Sequence, residues 1–203
     1  MNKKMLWISI ALVAIALIAI PATAGVPPQE GGCWVTAGGT MDYGGYFSSF
    51  GGTAMTLKDK AILGTWNHVS NDYLSPEGEE GIHFTGKVHY IVCKKFPSLP
   101  GPGIPKAIPN YVNLGGTGIL NGDDGYYFDV KIFDHGEPGI NLDRYVIDIY
   151  DSNKKLVVHE AGTPNDNCIA DIYVTPDLAW VKDMGCITGG NINIMPPSSG
   201  HPY

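Results

Sequence analysis

Hydrophobic and polar residues alternate along most of the chain. The clearest runs are residues 82–92, 126–133 and 145–150. A period of two predicts strands that bury one face and expose the other, as in an antiparallel sheet. We therefore predict an all-β fold, arranged as an antiparallel β-sandwich or jelly roll. In the first run the predicted buried face comprises Ile82, Phe84, Val88, Tyr90 and Val92.

Further strands are predicted where β-branched and aromatic residues lie between glycines and prolines. Asn121-Gly122-Asp123-Asp124-Gly125 predicts a hairpin turn, because Asn and Gly tolerate positive φ. Residues 94–110 contain five prolines, which cannot donate to a sheet, and they predict an extended surface loop. The remaining predicted strands are 33–37, 53–58, 62–69, 114–120, 155–159, 169–174 and 190–195.

The N-terminus has the pattern of a secretory signal peptide. Lys3 and Lys4 precede an apolar run, which ends before Ala22-Thr23-Ala24, a small-residue cleavage pattern. The run is shorter than the ~20 residues that span a bilayer. We expect cleavage after residue 24, no stable transmembrane anchor afterwards, and a secreted or cell-surface location; an uncleaved anchor is the alternative. Residues 25–195 are predicted to form a single domain, and residues 196–203 a flexible tail.

Charge narrows the range of partners. The net charge is −7, and loss of Lys3 and Lys4 with the signal peptide makes it more negative. An acidic surface repels phosphate backbones, so we expect no nucleic-acid partner.

Four cysteines are present, and all of them follow the signal peptide. An even number in an oxidising compartment predicts two disulfides, and the four cysteines can be paired in three ways. We favour Cys33–Cys93 and Cys168–Cys186, because each closes a loop of moderate length.

Several segments resemble a family of secreted β domains that follow choice-of-anchor domains in surface proteins. The resemblance spans roughly residues 53–195. The family pattern G-T-G-x-x-N-G matches Gly116–Gly122, and G-Y-x-F-x-V matches Gly125–Val130. The pattern D-x-G-E-P-G matches Asp134–Gly139, and the closing G-G-N-I-x-I matches Gly189–Ile194. An upstream K-V-H matches Lys87–His89.

This resemblance implies a β-sandwich and an extracellular role, and it supplies no catalytic residue. The chain departs from the family pattern in two places. Residues 163–185, which include Cys168, are inserted before the final strand, and Leu142 lengthens the loop before Asp143 by one residue.

An acidic loop is the predicted metal site. Asp134, Glu137 and Asp143 lie within ten residues, on a turn formed by glycine and proline. Ca²⁺ takes six to eight oxygen ligands, which such a loop can supply. The alternative is that these carboxylates only accept hydrogen bonds from nearby backbone N–H groups. Calcium is the only cofactor that we predict.

No catalytic constellation emerges from the remaining residues. The chain lacks a G-x-S-x-G serine, and His159-Glu160 is not followed by the second histidine of a zinc protease. His83 and His89 are expected to face solvent. We therefore predict a non-enzymatic protein; a secreted hydrolase is the least favoured alternative.

The predicted function is that of a secreted or cell-surface structural or adhesion domain. Self-assembly is a further hypothesis, since the glycine-rich segment 36–52 could leave a sheet edge for a neighbouring chain. A carbohydrate-binding module is the main alternative, because aromatic rings stack on sugars. The candidate aromatic residues are Trp34, Tyr43, Tyr46, Phe47, Trp66, Tyr73, Tyr127 and Trp180.

Overall fold

The computed structural model describes residues 33–43, 46–57, 59–74, 80–95, 110–136, 139–161 and 184–195. These segments contain nine β-strands. The strands are β1 (Trp34–Tyr43), β2 (Tyr46–Thr56), β3 (Ile62–Leu74), β4 (Glu80–Lys94), β5 (Tyr111–Leu120), β6 (Asp123–Phe133), β7 (Arg144–Tyr150), β8 (Leu156–Ala161) and β9 (Gly189–Met195).

All nine strands belong to one antiparallel sheet with the order β8-β7-β6-β5-β4-β3-β2-β1-β9. From β1 to β8 each strand pairs with the next in the chain, and β9 pairs with the free side of β1. The predicted all-β antiparallel class is therefore confirmed. The two stacked sheets of a sandwich or jelly roll are not confirmed, because the described strands form one continuous sheet.

The sheet curls so that its inner face packs against itself. Tyr145 of β7 stacks on Phe50 of β2 with ring centroids 3.9 Å apart, and its ring lies parallel to that of Trp66 of β3. Both Trp66 and Tyr145 are fully buried. Since the inner faces of β2–β3 and β7 meet, their outer faces point away from each other.

A disulfide braces the sheet, as predicted. Cys33, immediately before β1, is bonded to Cys93 in β4. Cys186 is also disulfide-bonded. Its predicted partner, Cys168, lies outside the described residues. A disulfide is typical of an oxidising, extracellular environment.

The predicted hairpin is confirmed between β5 and β6, but its turn comprises only Asn121 and Gly122, since residues 123–125 belong to β6. Asn121 and Gly122 have φ values of 51° and 95°, as a tight turn between right-twisted strands requires. The prediction for β4 is wrong beyond Val88. A β-bulge between Val88 and Tyr90 reverses the alternation, so Tyr90 points outward and is 38% exposed, whereas Cys93 enters the core.

The glycine-rich segment does not form a sheet edge. It contributes to β1 and β2, each of which is paired on both sides. The edge strands of the described sheet are β8 and β9. Among the described residues, no helix has the length and apolarity to cross a membrane.

Several predicted features lie outside the described residues. They are the signal peptide (1–24), most of the proline-rich loop (96–109), the strand at 169–174, most of the insertion (163–183) and the C-terminal tail (196–203).

Candidate functional site

Strand register places five residues in one row across the outer face of β4–β8. The pairs are Tyr90 with Gly115, Gly115 with Asp129, Asp129 with Asp148, and Asp148 with His159. Three ionisable side chains, one phenol and one glycine therefore lie side by side on neighbouring strands. Residues opposite one another in adjacent strands are close enough for their side chains to interact.

Tyr90 reaches across a strand to its partner. Its hydroxyl donates a hydrogen bond to the Asp129 carboxylate, although β5 runs between them. Gly115 makes this crossing possible, since a Cβ at that position would lie 2.5 Å from the Tyr90 hydroxyl oxygen. Partial burial, and then Asp129, raise the pKa of Tyr90. The phenol therefore stays protonated and remains a donor.

Lys131 and His159 compensate the two carboxylates of the row. The Lys131 Nζ lies 3.1 Å from Asp129 and 3.4 Å from Asp148, and the His159 Nδ1 lies 2.6 Å from Asp148. Partial burial opposes ionisation of Asp148, but the hydrogen bond from His159 and the charge of Lys131 bring its net pKa below the ordinary value. The row therefore places two carboxylates beside the Lys131 ammonium and the His159 imidazole.

A second row beside the first contains two tyrosines and a leucine, and Tyr150 in its middle is half-buried. Tyr127 pairs with Tyr150, and Tyr150 pairs with Leu156. Tyr127 is 48% exposed and Leu156 46% exposed. We call the combined surface the tyrosine patch; it consists of Tyr90, Tyr127, Asp129, Lys131, Asp148, Tyr150 and His159.

The sequence indicated only part of this patch. Tyr127 was a candidate aromatic and is exposed, and so is Phe47 on β2, whereas Trp66 is in the core. Trp34 is partly buried, and the side chains of Tyr43, Tyr46, Tyr73 and Trp180 lie outside the described part of the chain. Tyr90 was missed because the bulge that turns it outward has no distinctive sequence pattern. His83 and His89 are exposed, as predicted.

Two of the three predicted calcium ligands hold the edge strand β9. Asp143 accepts hydrogen bonds from the backbone N–H groups of His135 and Ile192, at 2.9 and 3.0 Å. Asp134 accepts from Gly136 and Ile194, at 2.9 and 3.0 Å. The alternative role considered for these carboxylates, as acceptors for backbone N–H groups, is therefore observed.

The third predicted ligand, Glu137, lies outside the described residues. Within the described segments, no group of three His, Cys, Asp or Glu side chains is arranged to hold a metal. Calcium binding by Asp134, Glu137 and Asp143 stays a prediction.

A buried polar network, which the sequence did not reveal, joins the two sides of the curl. Glu160 of β8 lies 2.8 Å from the Nε2 of His68 on β3 and accepts a hydrogen bond from Ser48 of β2. Tyr145 lies 3.4 Å from the Nδ1 of His68 and accepts a hydrogen bond of 3.0 Å from the Trp66 indole. Each of the five side chains is at most 2% exposed.

The donors and acceptors of this network determine where its protons lie. Tyr145 accepts from Trp66, so its own hydroxyl proton is available for the Nδ1 of His68. The Nε2–H of His68 then donates to Glu160, which also accepts from Ser48. Every donor of the network is satisfied when His68 carries a proton on Nε2 and accepts at Nδ1. A network satisfied in this way stabilises one arrangement of a core.

The chain matches no family model, no curated protein and no solved structure.

Proposed function

We propose that the protein is a non-enzymatic extracellular adhesion domain that binds carbohydrate through the tyrosine patch. The observation that supports this proposal is the placement of three outward tyrosines, Tyr90, Tyr127 and Tyr150, on adjacent rows beside the paired carboxylates Asp129 and Asp148. This arrangement combines apolar rings with hydrogen-bonding groups in one surface.

The chemistry of the patch suits a polyhydroxylated ligand. A sugar has C–H groups that pack on aromatic rings, and hydroxyls that both donate and accept hydrogen bonds. The Asp129 carboxylate is the accessible acceptor, with the largely buried Asp148 behind it, and the Lys131 ammonium is a donor. Since Lys131 already pairs with both carboxylates, a neutral glycan fits better than a strongly charged one.

The patch is also ordered before any ligand binds. Tyr90 is held by Asp129, Lys131 by two carboxylates and His159 by Asp148. Groups already fixed lose less conformational entropy on binding, which favours affinity. An oxidising extracellular location, which the Cys33–Cys93 disulfide favours, is where surface glycans occur.

The test is retention on a panel of insoluble and immobilised neutral polysaccharides. We expect at least one to retain the wild-type protein, and Tyr127→Ala and Tyr150→Ala to weaken binding by roughly tenfold each, a typical loss on truncating an aromatic contact. Phe47→Ala is the matched control, because Phe47 is also exposed, at 54%, but lies on β2. Failure of every polysaccharide to bind, or equal binding by all variants, would overturn the proposal.

A further inference from the structure

The outer face formed by β9, β1, β2 and β3 contains no ionisable residue over four successive rows. In each row the residues are paired through strand register, and none of them is buried. The rows are Met195–Trp34–Met55–Leu63, Asn193–Thr36–Thr53–Thr65, Asn191–Gly38–Gly51–Asn67 and Gly189–Thr40–Ser49–Val69. We call this surface the uncharged face.

Its centre is made of small polar residues, and the row at one end is apolar. Ionisable residues begin only beyond its limits, at Lys87 and His83 of β4 and at Asp42 of β1. Thr36, Thr53 and Thr65 lie in line on three neighbouring strands, and the Thr53 hydroxyl lies 3.5 Å from that of Thr36. Leu63, in the apolar row, is 53% exposed. A Cβ at Gly38 would meet nothing within 4 Å, so this part of the surface is open.

The uncharged face points away from the tyrosine patch. The inner sides of β2 and β3 contact the inner side of β7 and β8, through Phe50 with Tyr145 and His68 with Glu160. The outer sides of these two pairs of strands are consequently on opposite sides of the molecule. A partner on the uncharged face would leave the tyrosine patch accessible.

We propose that the uncharged face is the site where a second copy of this chain docks. With a net charge of −7, two copies repel each other over most approaches. A face without ionisable groups adds no close like-charge contact, and its threonine and asparagine side chains both donate and accept hydrogen bonds. A surface of this kind can pair with itself about a two-fold axis.

Association through the β9 edge is disfavoured by the same structure. The N–H groups of Ile192 and Ile194 point out of the sheet edge, and the carboxylates of Asp143 and Asp134 already bind them. A further strand would have to displace two carboxylates. Face-to-face docking requires no such displacement.

The size of the face sets the strength of the pairing. Neighbouring strands are ~4.8 Å apart and alternate residues ~6.7 Å apart, so four strands by four rows cover on the order of 500 Å² per copy. Stable specific complexes bury ~800 Å² per partner. The pairing is therefore weak and transient in solution.

If the proposed glycan role also holds, a pair would present its two tyrosine patches on opposite sides and could bridge two glycan surfaces.

Sedimentation velocity over a range of concentrations from micromolar to millimolar tests the docking without any glycan. We expect the weight-average mass of the disulfide-intact protein to rise toward that of a dimer. Added salt should strengthen association, because it screens like-charge repulsion between acidic molecules. Thr36→Lys and Thr53→Lys should each keep the protein monomeric, since either buries a charge on one of the two central strands of the interface.

Ser152→Lys is the matched control, because it makes the same charge change in the exposed turn between β7 and β8. It should associate at least as strongly as the wild type. Circular dichroism confirms the fold of each variant, and the two lysine variants are independent of each other. A wild-type protein that stays monomeric at every concentration, or folded lysine variants that associate like the wild type, would overturn the proposal.

Discussion

The Tyr90 hydroxyl donates to the Asp129 carboxylate across Gly115, which lies between them in the sheet. A Cβ at Gly115 would lie 2.5 Å from the Tyr90 hydroxyl oxygen, and it would also meet the backbone oxygen of Phe128. We predict that Gly115→Ala lowers the free energy of unfolding by about 1–3 kcal/mol, as overpacking does.

Urea denaturation of oxidised protein measures this loss. Gly38→Ala is the control, because the same methyl group at Gly38 would meet nothing within 4 Å. Equal stability of the two variants would show that the crossing does not depend on a glycine.

A double-mutant cycle tests the buried network. Glu160→Leu should lower the free energy of unfolding by about 3 kcal/mol or more, since it leaves the donors of Ser48 and His68 unpaired. In the double variant Glu160→Leu/His68→Leu, the loss in free energy of unfolding should be about 1–3 kcal/mol smaller than the sum of the losses in the two single variants.

The control cycle pairs Glu160→Leu with Asn67→Ala, since Asn67 is exposed on the other face of the strand that carries His68. We expect those two effects to add within about 0.5 kcal/mol. Additive losses for Glu160 and His68 would contradict the network.

His135 makes stability depend on pH. Burial, and then the charge of Arg144, lower its pKa to about 4 from 6.5. The unfolded chain therefore binds more protons between those values, and the free energy of unfolding should fall by up to about 3 kcal/mol as the pH drops through this window. Below about pH 4 this contribution levels off.

Urea denaturation at pH 7, 5.5 and 4.5 measures the effect. His135→Phe, which retains an aromatic ring beside Phe133, should remove most of the dependence of the free energy of unfolding on pH. His83→Gln, at an exposed position, should retain it. Identical slopes in the wild type and His135→Phe would contradict the assignment.

Asp143 protects the edge strand β9. Asp143→Ala removes the acceptor for the Ile192 N–H, so we predict exchange of that amide roughly 10- to 100-fold faster, as expected for losing a hydrogen bond to a charged group. Native-state hydrogen exchange measures it. Asp151→Ala is the control, because Asp151 also accepts backbone hydrogen bonds, but only within the β7–β8 turn. Unchanged exchange at Ile192 in Asp143→Ala would contradict this role.

The sequence predicted the strands better than it predicted how they assemble. Alternation locates strands because its period follows directly from backbone geometry. It cannot distinguish two stacked sheets from one curled sheet, since both bury one face. The curl depends on contacts between residues far apart in the chain, such as Phe50 with Tyr145.

The candidate sites were less predictable for the same reason. Asp134 and Asp143 are close in sequence and were recognised, but their partners Ile194 and Ile192 come from a distant strand. Tyr90 was assigned to the wrong face because one bulge reverses the alternation after Val88. His68 and Glu160 meet only after the sheet curls, so neither position has a local signal.

Chemical-shift mapping of the ¹⁵N-labelled protein tests the adhesion proposal most directly. A soluble fragment of the best-retained polysaccharide would be titrated into the oxidised protein. We predict that the shifted amides cluster at Tyr127, Asp129, Asp148 and His159, while those of Thr36, Thr53 and Thr65 stay in place. Absence of shifts at saturating ligand, or shifts confined to residues outside the tyrosine patch, would contradict carbohydrate binding at this site.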